Sequence, residues 1–234
     1  MSYPGYFVRQ LLEHLFVVGE LPAEDGGRVS DCHVYLIVGE NSVLAVDAGS
    51  GRSWPFVQAT ARRYSFENMA ISEVLVTHGH GDHARGLTEF ESAGALTVAS
   101  AYTATHLDSA EDADVIFDRD DVLDLFEFRP QTILTPGHTP GCTSYRITVD
   151  GVDCLFTGDL LMMDGGLGWG GDEGFSQEAA LASLKKLAAM PAPDLLCGGH
   201  GYTDDPMGLL QKAIGHGERG EWIVWTERRP QMPS

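Results

Sequence analysis

Residues 77–83 read THGHGDH, and this stretch decides how the chain is read. It sets His78, His80, Asp82 and His83 within six positions, with Gly79 and Gly81 in the gaps. Neutral imidazole is the commonest protein ligand for zinc and its neighbours, and carboxylate is its usual hard companion. Glycine lacks a Cβ, so the backbone can curl and let several side chains converge on one point. The run is expected to be a metal-binding loop. Working outward, the preceding residues Ser72–Thr77 form an apolar strand that delivers it.

Further donors follow downstream: His138 in TPGHTPG, Asp159 in FTGD and His200 in LLCGGHG. Each comes after a short apolar, strand-like run (131–134, 152–156 and 195–197) and lies against Gly or Pro. Each is therefore expected on a loop at the carboxyl end of a strand, where α/β architectures collect functional residues. Five His and two Asp are too many ligands for one tetrahedral ion, whereas two ions sharing a carboxylate would use them all.

These elements resemble the metallo-β-lactamase-fold hydrolase superfamily: HxHxDH at 78–83, GHTPG at 137–141, TGD at 157–159 and GGHG at 198–201, in family order. The DAG at 47–49 is similar to the family's early strand-end aspartate, and the match spans about residues 30–205. The resemblance implies an α/β fold, the four-layered αββα sandwich, with metals at one edge. It implies that His78, His80 and His138 hold one ion, that Asp82, His83 and His200 hold a second, and that Asp159 bridges them. Asp47 would then accept hydrogen bonds that fix the ligand loop. The implied cofactors are two divalent ions, with zinc first and iron or manganese also suited to His/Asp donors.

The chemistry expected of such a pair is hydrolysis by a metal-bridging hydroxide, with Asp82 and Asp159 in catalytic roles. Among branches of the superfamily, true β-lactamases generally lack an aspartate at the place of Asp159. The flavin-linked diiron enzymes carry a carboxylate where His80 stands. A compact hydrolase of a small ester, thioester or lactone, similar to glyoxalase II or the acyl-homoserine lactonases, is the expected function. A phosphodiesterase or phosphotriesterase on the same metal pair and an iron-dependent persulfide dioxygenase are the alternatives. Specificity is expected in residues 165–174, GGLGWGGDEG, with Trp169 and Phe175 packing on substrate. Tyr202 is a candidate donor to its carbonyl, and Tyr102 is a weaker one.

Composition sets the frame. The 234 residues, 43% hydrophobic, can bury the core of one domain, expected to span 1–234. A formal charge of −19 would repel nucleic acid and anionic membrane, leaving a small-molecule substrate as the expected partner. No run of eighteen apolar residues marks a membrane span, and the first twenty residues do not have the pattern of a secretory signal. Cys32, Cys142, Cys154 and Cys197 lack CxxC spacing, which points to reduced thiols and a cytoplasmic protein. His14, His33, His106 and His216 lie outside any ligand motif and read as ordinary surface or core residues. The oligomeric state is not legible.

Periodicity adds a hairpin of 32–38 with 42–47, a helix over 54–64 capped by Ser53, and a helix from His83 towards Ser92. It also adds strands at 96–99 and 121–125, a hairpin turning at Asp150–Gly151, a helix over 177–190 capped by Ser176, and a weaker helix over 207–217. The first twenty residues hold a helix or a strand.

Overall fold

Alternation in the strands settles the layering. In a strand successive side chains point to opposite faces, so a strand buried on both faces supplies two cores at once. Phe16 and Val18 belong to one buried cluster while Leu15 and Val17 belong to another. Val34 and Leu36 divide in the same way from Tyr35 and Ile37, and Val43 and Ala45 from Leu44 and Val46. Such a sheet is covered on both sides.

The computed structural model describes residues 5–21, 30–107, 113–168 and 174–225. The first part of the chain runs β1 (Tyr6–Gln10), β2 (Leu15–Glu20), β3 (Val34–Val38), β4 (Ser42–Val46), α1 (Trp54–Arg63), β5 (Ala70–Leu75), α2 (Gly81–Ala84), α3 (Leu87–Ser92), β6 (Leu96–Ser100), α4 (Ala101–Ala104) and β7 (Val115–Phe117). The second runs β8 (Asp121–Val122), β9 (Gln131–Leu134), β10 (Thr143–Val149), β11 (Val152–Gly158), β12 (Leu167–Gly168), α5 (Gln177–Ala188), β13 (Leu195–Gly198), β14 (Gly201–Thr203), α6 (Pro206–Arg219) and β15 (Val224–Trp225).

Strands β1 to β7 form one sheet in sequence order, antiparallel as far as β4 and parallel after it. The second sheet is ordered β14-β13-β11-β10-β9-β8, with β11 and β13 parallel. Leu44, Leu75 and Tyr35 of the first sheet meet Tyr145, Ile147 and Phe156 of the second between the sheets. Val57 of α1 with Leu87 and Phe90 of α3 close the outer face of the first sheet. Leu184 and Leu187 of α5 with Leu210 and Ala213 of α6 close the outer face of the second. Helix, sheet, sheet, helix: this is the αββα sandwich. Strands β4, β5, β9, β11 and β13 all end at one edge, and the donor-bearing residues leave from there.

The β3–β4 and β10–β11 hairpins stand where the sequence placed them, and Asp150 and Gly151 turn with φ of 54° and 78°. Ser176 caps α5 by accepting from the Ala179 N–H at 3.1 Å. Other elements differ. The first twenty residues hold two strands, β1 and β2. Ser53 takes the N-cap position of α1 without a side-chain cap bond. The helix expected from His83 is split into α2 and α3. There the Gly86 N–H bonds to the Gly49 carbonyl and the His83 carbonyl accepts from the Ala48 N–H, both at 2.8 Å. The backbone thus ties itself to the loop after β4 in place of continuing the helix. Strand β8 stops at Val122 because Leu123 and Leu125 pair only singly, with Pro130 and Phe128. The last helix is longer than expected: Asp205 caps it from the Gly208 N–H, and Gly220 ends it in the left-handed conformation.

Candidate metal centre

Each donor side chain leaves a strand end whose local structure explains its direction. After β5 the chain curls through Thr77–His80 into α2, which carries Asp82 and His83 on a single turn. His138 follows β9, Asp159 follows β11, and His200 sits in the turn between β13 and β14. Gly158 has a φ of 51°, and a Cβ there would meet Thr77 Oγ1 at 2.5 Å, so glycine is needed immediately before Asp159.

The side chains gather into two adjoining groups. In one, His78, His80 and His138 face each other. In the other, Asp82, His83, Asp159 and His200 do so. Asp159 lies between them: its Oδ1 is 3.4 Å from His83 Nε2, and its Oδ2 is 3.5 Å from His200 Nε2 and 3.9 Å from His138 Nε2. Asp82 Oδ2 stands 3.6 Å from both His83 Nε2 and His200 Nε2. Apart from His80 and His200, which are partly exposed, all of these residues are buried.

Hydrogen bonds assign the ring tautomers. Asp47, buried and at a left-handed φ of 57°, accepts from the Thr77 N–H at 2.8 Å, the Thr77 hydroxyl at 2.9 Å and His83 Nδ1–H at 2.8 Å. With its proton committed, Thr77 Oγ1 accepts from His78 Nδ1–H at 3.1 Å. His138 Nδ1–H donates to the Gly168 carbonyl at 2.9 Å. The Nε2 atoms of His78 and His138 are therefore lone pairs turned into the site, and His83 Nε2 points into it as well. Those of His78 and His138 stand 3.1 Å apart, with His80 Nδ1 at 3.1 Å from the first and 2.9 Å from the second.

Two lone pairs so placed repel each other, and a cation at their common focus turns the repulsion into attraction. In the neighbouring group, His83 Nε2, Asp159 Oδ1 and both ring nitrogens of His200 are buried without a hydrogen-bond partner. Leaving such groups unsatisfied costs about 1–3 kcal/mol each. The donor set fits divalent ions.

Protonation follows the same division. Burial, and then the neighbouring His83 and His138, push the His78 imidazole far down, and burial takes His138 down to about 4. Burial also acts downward on His200, but the Asp159 carboxylate outweighs it and lifts His200 to about 9. His83 is raised as well, against burial, by Cys32, Asp159, Asp47 and Asp82. Burial works to raise Asp159, yet His200 and His83 hold it well below the carboxylate range. Without a metal ion, protons on His83 and His200 compensate the buried carboxylates.

Of the candidate substrate contacts, Tyr202 is half-buried beside the turn of His200, and its phenol accepts from the Arg9 guanidinium, which also lies over its ring. Phe175 is half-buried against the core under α5 and α6. Trp169 lies outside the described residues. Exposed Tyr102 stacks on His106 at 4.0 Å, and both flank donor loops. A Cβ on Gly79 would meet the His106 carbonyl at 2.8 Å, and one on Gly141 would meet Tyr102 at 2.7 Å. Residues without a ligand motif also contribute: Thr77, the Gly168 carbonyl, and His33 and Tyr35 behind the turn of His200. Only Thr77 could have been found from sequence, by its place beside HGHGDH.

The profile of the metallo-beta-lactamase superfamily matches residues 27–200. The chain belongs to this superfamily. A hydroxyacylglutathione hydrolase of Cereibacter sphaeroides is 31% identical over 180 residues, a match covering 75% of this chain and 64% of that relative. The chain thus spans less than two thirds of its length. A probable metallo-hydrolase of Bacillus subtilis, YqgX, is 32% identical over 190 residues, covering 74% of this chain and 86% of the relative. Among solved structures, a metallo-beta-lactamase from Pontibacter korlensis superposes with a TM-score of 0.75 at 17% identity, covering 91% of this chain and 99% of that one. That likeness concerns the fold alone. The superfamily implies divalent metal ions, and the donors described above suit them.

Proposed function

We propose that this protein is a metal-dependent hydrolase, one metallo-β-lactamase-fold domain over residues 1–234, that uses a two-metal centre to cleave a small carboxylic thioester, ester or lactone. The observation that carries the reading is the pair of adjoining donor groups with the Asp159 carboxylate between them. His78, His80 and His138 would hold one ion, Asp82, His83 and His200 the other, and Asp159 would serve both. Zinc suits the set best, and iron or manganese also fits. The hydroxyacylglutathione hydrolase among the relatives puts thioesters first.

Bound divalent ions supply Lewis acidity and make water a competent nucleophile near neutral pH. The protein's own groups do the rest. Asp47 and Thr77 hold the imidazoles of His83 and His78 in the tautomers that turn Nε2 inward. The Asp82 carboxylate takes the proton of the attacking water and returns it to the leaving thiol or alcohol as the carbonyl carbon–heteroatom bond breaks. Tyr202 O–H donates to the substrate carbonyl, and its oxygen accepts from Arg9. Phe175, half-buried beside α5, would pack on the acyl side of the substrate.

The charge of −19 favours a small-molecule substrate over nucleic acid or an anionic membrane. Among the described residues no helix is long and apolar enough to cross a membrane. The four cysteines, buried and free, suit the reducing cytoplasm we assign to the protein. The deciding experiment compares kcat/KM of metal-loaded protein for a thioester, a γ-lactone and bis(p-nitrophenyl) phosphate. Preference for the carbonyl substrates supports the reading; preference for the phosphodiester overturns it.

A further inference from the structure

His200 differs from its partners in how it is aimed. His78, His83 and His138 each have a ring nitrogen fixed by Thr77, Asp47 or the Gly168 carbonyl. Neither ring nitrogen of His200 has a hydrogen-bond partner. Its Nε2 faces only the carboxylates of its own group, Asp82 at 3.6 Å and Asp159 at 3.5 Å, so its place rests on the backbone of the β13–β14 turn. That turn is fastened on both sides of His200. The Gly199 N–H bonds to the Gly158 carbonyl at 2.8 Å, and the Gly199 carbonyl accepts from the His33 N–H at 2.7 Å. The Tyr35 hydroxyl lies 2.8 Å from the Gly198 carbonyl and 3.1 Å from the Gly201 carbonyl, one on each side of Gly199–His200.

Tyr35 reaches this turn from the opposite sheet. It stands on β3, 2% exposed, with its ring edge-on to Phe156 at 5.3 Å, and its oxygen is 3.3 Å from His33 Nδ1. The turn has no slack on its other side. A Cβ on Gly199 would collide with Asp159 Oδ1 and would meet His83 Cε1 at 2.7 Å. A small shift of the turn thus moves His200 against both of its neighbours.

We propose that Tyr35 is a positioning residue for the second metal ion: its hydroxyl, bonded to the carbonyls flanking Gly199–His200, sets the place of His200 from across the sandwich. This rests on the two-ion reading above. One phenolic proton is shared between a buried carbonyl, Gly198, and a part-buried one, Gly201, so its loss removes a bond from each. The first pocket, His78–His80–His138, takes no part in these contacts.

The test is Tyr35→Phe, which keeps the ring against Phe156 and removes only the hydroxyl, measured by zinc titration of metal-free protein and by metal content after dialysis. The expected result is a second-ion affinity about 10–100-fold weaker, the usual cost of losing an outer partner of a ligand, with the first ion unchanged. Turnover then falls at limiting zinc and recovers in excess zinc. Thr132→Val, which removes another buried hydroxyl far from the turn, leaves both affinities as they were. Unchanged second-ion affinity in Tyr35→Phe, or an equal loss at both ions, overturns the proposal. The readout is a ratio within one folded molecule, and sucrose offsets any general loss of stability, so instability does not imitate the effect. Wild-type protein that binds a single ion overturns this proposal and the two-ion reading together; two ions in wild type with no change in Tyr35→Phe overturns this proposal alone.

Discussion

The two donor groups touch, yet they are built on opposite principles. In the His78–His80–His138 pocket burial keeps His78 and His138 neutral, and their lone pairs face one another at 3.1 Å. The Asp82–His83–Asp159–His200 group is ionic, with carboxylates that draw protons onto two imidazoles. A divalent ion entering the first meets ready donors. An ion entering the second must displace protons first. On the two-ion reading, the same metal is held tightly at one place by preorganisation and at the other by charge, and the second is the more readily adjusted.

The comparison breaks most completely at Asp159, the residue proposed to serve both groups. Asp159→Ala is expected to lose turnover by more than about 10³-fold, beyond the ~10–100-fold cost of an outer partner, with both ions depleted. Metal analysis beside a thioesterase assay checks it, and full activity would sink the assignment. Asp47→Asn comes next. Asparagine tolerates the left-handed φ but carries no charge to hold His83 Nδ1–H, so second-ion affinity should fall about 10–100-fold. A larger loss at the first ion would contradict the tautomer assignment.

Acidity separates the pockets without any mutation. In metal-free protein His200 titrates at about 9, so at pH 7 it carries a proton that the metal must expel, and raising the pH removes that proton beforehand. Second-ion affinity should therefore climb about tenfold per pH unit for each displaced proton between pH 7 and 9. His138, at about 4, and His78, pushed far down, are already neutral and release no proton, so first-ion affinity should climb less steeply over the same range. Titrations in two buffers of different ionisation enthalpy count the protons, and equal slopes for both ions would refute the contrast. Smallest of all, Tyr202→Phe should lower kcat/KM by only about fivefold, the worth of one hydrogen bond near 1 kcal/mol, with metal content untouched.

How much of this was legible follows from chain distance. All seven donors stand in short glycine-marked motifs after apolar runs, so local reading finds them, and the superfamily's order of motifs implies the sandwich. The two buried faces of β3 and β4 are written in uninterrupted runs such as VYLIV and SVLAV, which fix strands but not their partners. Long-range contacts left no local mark. Tyr35 is 163 residues from Gly198, and the Gly168 carbonyl is 30 from His138. A tyrosine in an apolar strand looks like core until the turn it holds is seen. The broken helix at Gly86 was hidden for the same reason, because its backbone bonds go to residues far back in sequence.

The donors are shared between the two sheets, and this has a consequence for a chain being made. His78, His80, Asp82 and His83 follow a strand of the first sheet, while His138, Asp159 and His200 follow strands of the second. Synthesis proceeds from the amino end, so the four early donors leave the ribosome long before the last. No early donor group is complete by itself: the first pocket waits for residue 138 and the second for residue 200. A nascent chain therefore cannot close either donor group until the later strands have docked, and on the two-ion reading the second ion would be captured only after β13 is in place.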